Sequence, residues 1–245
     1  MSKNKPFFVP SSKLKLKLLK TILLKDIKSE IRQINDFFSV ILFGILSIFI
    51  FSSAHNISTR SQVMPVGIFV IQIWLIIFFT LIFIMTKLFI KEKESGTLGG
   101  MLSSPISVNT ILLSKIIFCF ILLCIVETIV FLFSFFISSP AIQNLNAIQL
   151  LSYILFAILL PTLDLAVCAT IISAFSMYVK NKSFILPVLL FPVILPITTP
   201  IILINIKLLE GASLSNVLIE MILLISHTIL MLSILILISD TLFFD

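Results

Sequence analysis

Two carboxylates, Glu127 and Asp164, stand inside long apolar runs of this 245-residue chain. A carboxylate in such surroundings can hold or pass a proton. A charge at the centre of a bilayer costs about 2.5–3.5 kcal/mol on insertion scales, so each must face protein, be protonated or lie near an interface. A proton or substrate path is the sharper reading. A structural hydrogen bond to another helix or to a partner subunit is the favoured one. Glu220 falls towards the outer end of the last apolar run, where the cost is smaller. Of the two histidines, His55 falls in the first outer connection and His227 in the last run. Haem iron is commonly held by histidine. Neither residue has a paired partner in sequence, and His227 reads as a hydrogen-bonding group between helices. Cys119, Cys124 and Cys168 lie in apolar runs without a CxxC pair and read as inert buried thiols. Zinc-ligand spacing, a nucleophile–base arrangement and a GxxxxGK[ST] loop are all missing. The sequence therefore supplies no catalytic or metal-ligand set, and any ATP must be bound by another chain.

Three further segments carry patterned residues. The first begins Lys91-Glu-Lys-Glu and continues through Gly96-Thr97-Leu98 to Pro105 and Asn109. Gly96 can break a helix leaving the membrane, and Thr97 can N-cap a short one. Pro105 would end it, and Ser107 or Asn109 could cap the next. A short helix parallel to the membrane, open to a cytoplasmic partner, and an ordinary solvated loop fit the local physics equally. The second segment holds Pro187, Pro192, Pro196 and Pro200 in one apolar run. Each removes an intrahelical hydrogen bond and favours a kink, which suits a static bend or a hinge. In the third, Leu19, Leu23, Ile27, Ile31, Ile34 and Phe38 recur at helical spacing. Lys20, Lys25, Asp26, Lys28, Glu30 and Arg32 lie between them. The expected element is an amphipathic helix over 13–36 on the inner leaflet, after a disordered 1–12 stretch.

The elements that must position these residues are membrane spans. The chain is 59% hydrophobic and 11% charged, with a mean hydropathy of +1.25. A soluble domain keeps about a quarter of its residues charged. Six runs approach the roughly 20 apolar residues that a crossing helix needs, near 37–53, 64–86, 110–138, 148–179, 183–206 and 214–239. The first is short. The third and fourth exceed one span and should extend into the interface or break internally. The expected fold is all-α, with a permease domain over 37–245 and a loop over 87–110. Of the 17 Lys and Arg, all but Arg60 and Lys207 fall in the N-terminal segment and the second and fourth connections. Basic residues are retained in the cytoplasm, which places both termini there. No cleavable leader is expected before the first run.

The pattern Glu94-x-Gly96-Thr97-Leu98-x(6)-Pro105-Ile106-Ser107, with Lys115 entering the next span, resembles the first cytoplasmic loop of ABC-2-type permeases. In those proteins it is a coupling helix that touches the ATPase. Gly99 departs from that pattern, where an acidic residue is frequent. Lys25-Asp-Ile-Lys-Ser-Glu-Ile-Arg32 resembles the N-terminal helix of the haem exporter B family, CcmB, and Leu186–Pro200 resembles that family's proline-rich span. The resemblance runs over nearly the whole chain. It implies a permease subunit for c-type cytochrome biogenesis in a bacterial inner membrane, or in a mitochondrial one if the chain is organellar. It also implies a CcmA-like ATPase engaged through Lys91–Thr110, including Glu92 and Glu94. CcmC-, CcmD- and CcmE-like proteins would associate with it, and haem would be a handled ligand. ATPase pairs need two permease halves, so a homodimer or a related second permease is expected. A generic ABC-2 exporter and a stand-alone secondary transporter are the alternatives.

Overall fold

The computed structural model describes residues 12–244 apart from 62, 105, 143–144 and 180. The expected disordered stretch, Pro105 and Lys180 therefore fall wholly or largely outside the described residues. Six helices are long and apolar enough to cross a membrane: Ile34–Thr59, Val66–Glu94, Val108–Ser138, Ala147–Ser176, Phe184–Leu209 and Leu214–Ser239. No strand occurs among the described residues. The all-α reading and the span count hold.

Boundaries differ from expectation where polar residues continue a helix. The first span runs to Thr59, so His55 lies in its last turns rather than in a connection. Thr59 Oγ1 donates to the His55 carbonyl at 2.8 Å, and Arg60 ends the helix at a φ of 53°. The second span likewise continues through Lys91–Glu94, because Lys and Glu are good helix formers. The connection that follows therefore begins at Ser95, not at residue 87. The N-terminal helix occupies Ser12–Arg32, and Gln33, with φ −117° and ψ 42°, separates it from the first span.

The second, third and fourth spans form the centre. The third packs against the N-terminal helix and the first, second and fourth spans, while the sixth packs chiefly on the fourth and fifth. Phe69, Leu81, Ile111, Leu123, Val126 and Leu165 are all buried at this junction. Gly44 lets the first span close on it: a Cβ there would stand 3.3 Å from Val130 Cγ2. Small residues serve such approaches in lipid, where no hydrophobic force drives helices together. At the far end, Met64 N–H donates to Ser139 O at 3.3 Å and Ala141 N–H to Met64 O at 2.9 Å. These two bonds tie the first and third connections together.

Two central spans carry π turns, and side chains from neighbours explain both. In the second span the turn covers Thr86–Ile90. Ser173 Oγ accepts from Phe89 N–H at 3.2 Å and donates to Met85 O at 2.8 Å. In an α-helix those two backbone groups would bond each other, so the hydroxyl has inserted into the ladder. In the fourth span the turn covers Tyr153–Leu159, just before Pro161. Pro161 has no N–H for the carbonyl four residues back, Ala157. Asn205 Nδ2 donates there instead, at 3.0 Å, and Asn205 Oδ1 accepts from Tyr153 OH at 3.1 Å. A carbonyl freed inside a bilayer needs such a partner. The fifth span belongs to one uninterrupted helix, Lys182–Leu209, with all four prolines inside it.

Candidate functional site

The Lys-rich end of the bundle holds a buried charge cluster built from three segments. The N-terminal helix turns Ile22, Asp26 and Glu30 inward, at the i, i+4 spacing of one face. Leu23 and Ile27 pack beside them, while Ile31, Ile34 and Phe38 are exposed. The apolar stripe is thus only half used. Asp26 and Glu30, which the sequence places between the apolar positions, belong to the packed side, and Arg32 is exposed.

Lys115 explains that choice. It lies two turns into the third span with its side chain 1% exposed. Its Nζ donates to Asp26 Oδ2 and to Glu92 Oε1, both at 2.9 Å, and stands 5.7 Å from the Phe89 ring. Lys25 pairs with the same Glu92 and lies 3.2 Å from Asp26 Oδ1. Two ammonium groups, buried Lys115 and half-exposed Lys25, thus face two buried carboxylates, which leaves the cluster without net charge. Burial pulls Lys25 down, but the hydrogen bond and charge of Glu92, with Asp26, outweigh it and hold the ammonium above its ordinary range. Beside the cluster, Lys87 pairs with Glu30 over the Phe37 ring, and Lys91 donates to Gln33. The cluster binds the N-terminal helix, the end of the second span and the start of the third into one unit.

The short helix Thr97–Leu102 follows directly. Gly96 ends the preceding helix at a φ of 71°, where a Cβ would cost about 1–2 kcal/mol. Gly96 itself occupies the N-cap position, and Thr97 does something else. Its hydroxyl donates to Glu92 O at 3.3 Å and meets Ser95 Oγ at 3.0 Å, closing the C-terminal end of the second span. Leu98 is buried beneath the short helix, and Lys25 Nζ reaches Met101 Sδ at 3.9 Å. Thr97, Gly99 and Gly100 of the short helix are exposed, as is Glu94 just before it. Nothing lies within 4 Å of a Cβ built on Gly99 or Gly100. Glu92, grouped by sequence with the partner-facing loop, instead turns into the cluster. Ser107 takes the N-cap of the third span, and its hydroxyl meets Thr110 Oγ1 at 2.8 Å. A cleft of about 500 Å³ opens beside this platform, lined by Asp36, Ser39, Lys87, Lys91, Glu94 and Leu186 among others.

The intramembrane carboxylates stand apart from that platform. Glu127 accepts from Thr162 Oγ1 at 2.5 Å, and its second oxygen has no hydrogen-bond partner. Asp164, near the middle of the fourth span, pairs with His227 of the sixth at 2.9 Å. Glu220 meets Lys207 at 2.7 Å. Spacing alone did not reveal these partners, since 63 residues separate Asp164 from His227. The signal in the sequence was the presence of Glu127 and Asp164 in apolar runs, which demands a partner without naming it.

A family model described as CcmB protein matches residues 17–239. The chain belongs to the CcmB protein family. The match takes in the N-terminal helix from Lys17 on, the charge cluster, the short helix and all six spans. Membership makes it a multi-pass ABC-type permease subunit of the haem-export type, connected with cytochrome c maturation. No curated relative and no solved structure matches it.

Proposed function

We propose that this CcmB-family subunit couples ATP hydrolysis by a CcmA-like ATPase to its own helix bundle, in a complex that handles haem for c-type cytochromes. The observation that carries the reading is the short helix Thr97–Leu102, fixed from below by Leu98 and joined through Glu92 to Lys115 of the third span. Force applied to the exposed Gly99–Gly100 surface passes into a rigid, charge-locked unit and so into the central span. The Lys-rich end faces the cytoplasm by the distribution of basic residues, with both termini there. The membrane is the bacterial inner membrane. CcmC-, CcmD- and CcmE-like proteins complete the assembly, and a second permease half covers the exposed first or sixth span. ATP acts through the partner, and haem is the handled ligand.

A mild-detergent pull-down of tagged protein tests this directly. Recovery of an ABC ATPase with cytochrome-maturation proteins is expected. An ATPase with unrelated partners would instead assign a generic exporter, and no ATPase under complex-preserving conditions a stand-alone transporter. Gly96→Val should cost about 1–2 kcal/mol locally and release the ATPase while the protein still inserts. Full ATPase recovery from that variant would remove the coupling role. Ala at both Pro192 and Pro196 should lower c-type haem staining more than protein abundance. Unchanged staining would remove any need for the prolines in motion.

A further inference from the structure

Asp164 and Cys168 are four residues apart, on one face of the fourth span, and both are fully buried. His227 of the sixth span meets them, with its side chain 12% exposed. One ligand atom from each of the three lies within 4.8 Å of the others. His227 Nδ1 stands 3.0 and 2.9 Å from the two Asp164 oxygens, and its Nε2 is buried without a hydrogen-bond partner. Thr228 beside them is buried, with its hydroxyl donating to Leu224 O at 2.8 Å.

We infer that Asp164, Cys168 and His227 form an intramembrane site for a divalent d-block cation of the zinc type. The donor set is one carboxylate, one thiolate and one imidazole, which suits zinc and cobalt. Magnesium and calcium prefer oxygen donors and are disfavoured by the sulfur. Charge decides the valence. A carboxylate and a thiolate together carry two negative charges, so a divalent ion leaves the site neutral in hydrocarbon, whereas a monovalent one does not. A ligating thiol must lose its proton and a ligating imidazole must be neutral, so binding releases protons. Ligand atoms around a tetrahedral ion, with bonds of about 2.0–2.3 Å, stand roughly 3.5 Å apart. The present separations bracket that value, with His227 and Asp164 in direct hydrogen-bond contact at 2.9 Å and all three ligand atoms within 4.8 Å of one another. The sequence gives no hint of the set, because the third ligand comes from another helix.

The test uses the full chain in detergent, stripped of metal and titrated with cobalt(II). The expected result is a thiolate-to-cobalt absorption band in the near ultraviolet, with the visible bands of a tetrahedral ion, saturating near about one equivalent. Zinc should bleach it. Cys168→Ser should abolish the near-ultraviolet band. A Cys119→Ser/Cys124→Ser double variant should keep it, which controls for folding and for the other thiols. His227→Gln should weaken binding at least about 10–100-fold, the loss that even an outer-shell partner produces. No band in the unaltered chain, or a band that survives Cys168→Ser, overturns the site. The readout needs neither the ATPase nor haem, so it stands or falls independently of the export reading.

Discussion

Lys115→Met is expected to destabilise the protein by about 3–5 kcal/mol, the range seen when one partner of a buried ion pair is removed. Asp26 and Glu92 would then share only Lys25, which leaves one uncompensated negative charge in a site where Lys115 is 1% exposed. The N-terminal helix should loosen from the third span, because the Lys115–Asp26 bond is lost while the Lys25–Glu92 and Lys87–Glu30 pairs to the second span remain. The decisive comparison is Lys115→Met combined with Glu92→Gln. That pair removes one charge of each sign and leaves Lys25 opposite Asp26, so most of the lost stability should return. Thermal unfolding in detergent reads the stability, and limited proteolysis near Arg32 reads the loosening. Equal instability of the single and double variants would show that packing, not charge balance, holds the unit together.

The second large effect is expected at Asn205. Asn205→Leu removes the donor to Ala157 O and the acceptor for Tyr153 OH in one step. Each buried group left unsatisfied costs about 1–3 kcal/mol in proteins generally, and interhelical bonds in membranes measure lower. A total loss of roughly 1–3 kcal/mol follows from those ranges. Pro161→Ala in the same background restores an N–H four residues after Ala157, so it should recover the carbonyl part and not the tyrosine part. Unfolding of the four variants in one detergent gives the interaction term. No interaction between the two positions would mean that Asn205 does not substitute for the missing proline donor.

Much of the architecture was legible in the residue order. Runs of about 20 apolar residues locate spans because the bilayer leaves an unsatisfied backbone few alternatives, and the six runs matched the six helices. Gly96 was also readable, since a positive φ at a helix end is a local property of the chain. Span ends were less so. The sequence suggested a loop from Lys87, but Lys91–Glu94 stays helical: its Lys and Glu are good helix formers, and Glu92 finds Lys25 on the N-terminal helix while Lys91 finds Gln33 just after it. Thr97 looked like an N-cap, yet it closes the previous helix, a choice set by where Glu92 O sits.

The sequence by itself determined the membrane class, the number of spans and, by resemblance, the family, while it left the short helix Thr97–Leu102 and an ordinary loop equally open. What it determined depends on composition or on residues within a few positions of one another, where covalent spacing fixes geometry. Only the tertiary structure decided which charges meet. Lys115 with Asp26, Asp164 with His227 and Asn205 with Ala157 are 89, 63 and 48 residues apart. Buried polar groups in lipid must find partners, and the sequence states that need. Which partner answers it depends on how the helices rotate and pack, and that is settled only when the bundle forms.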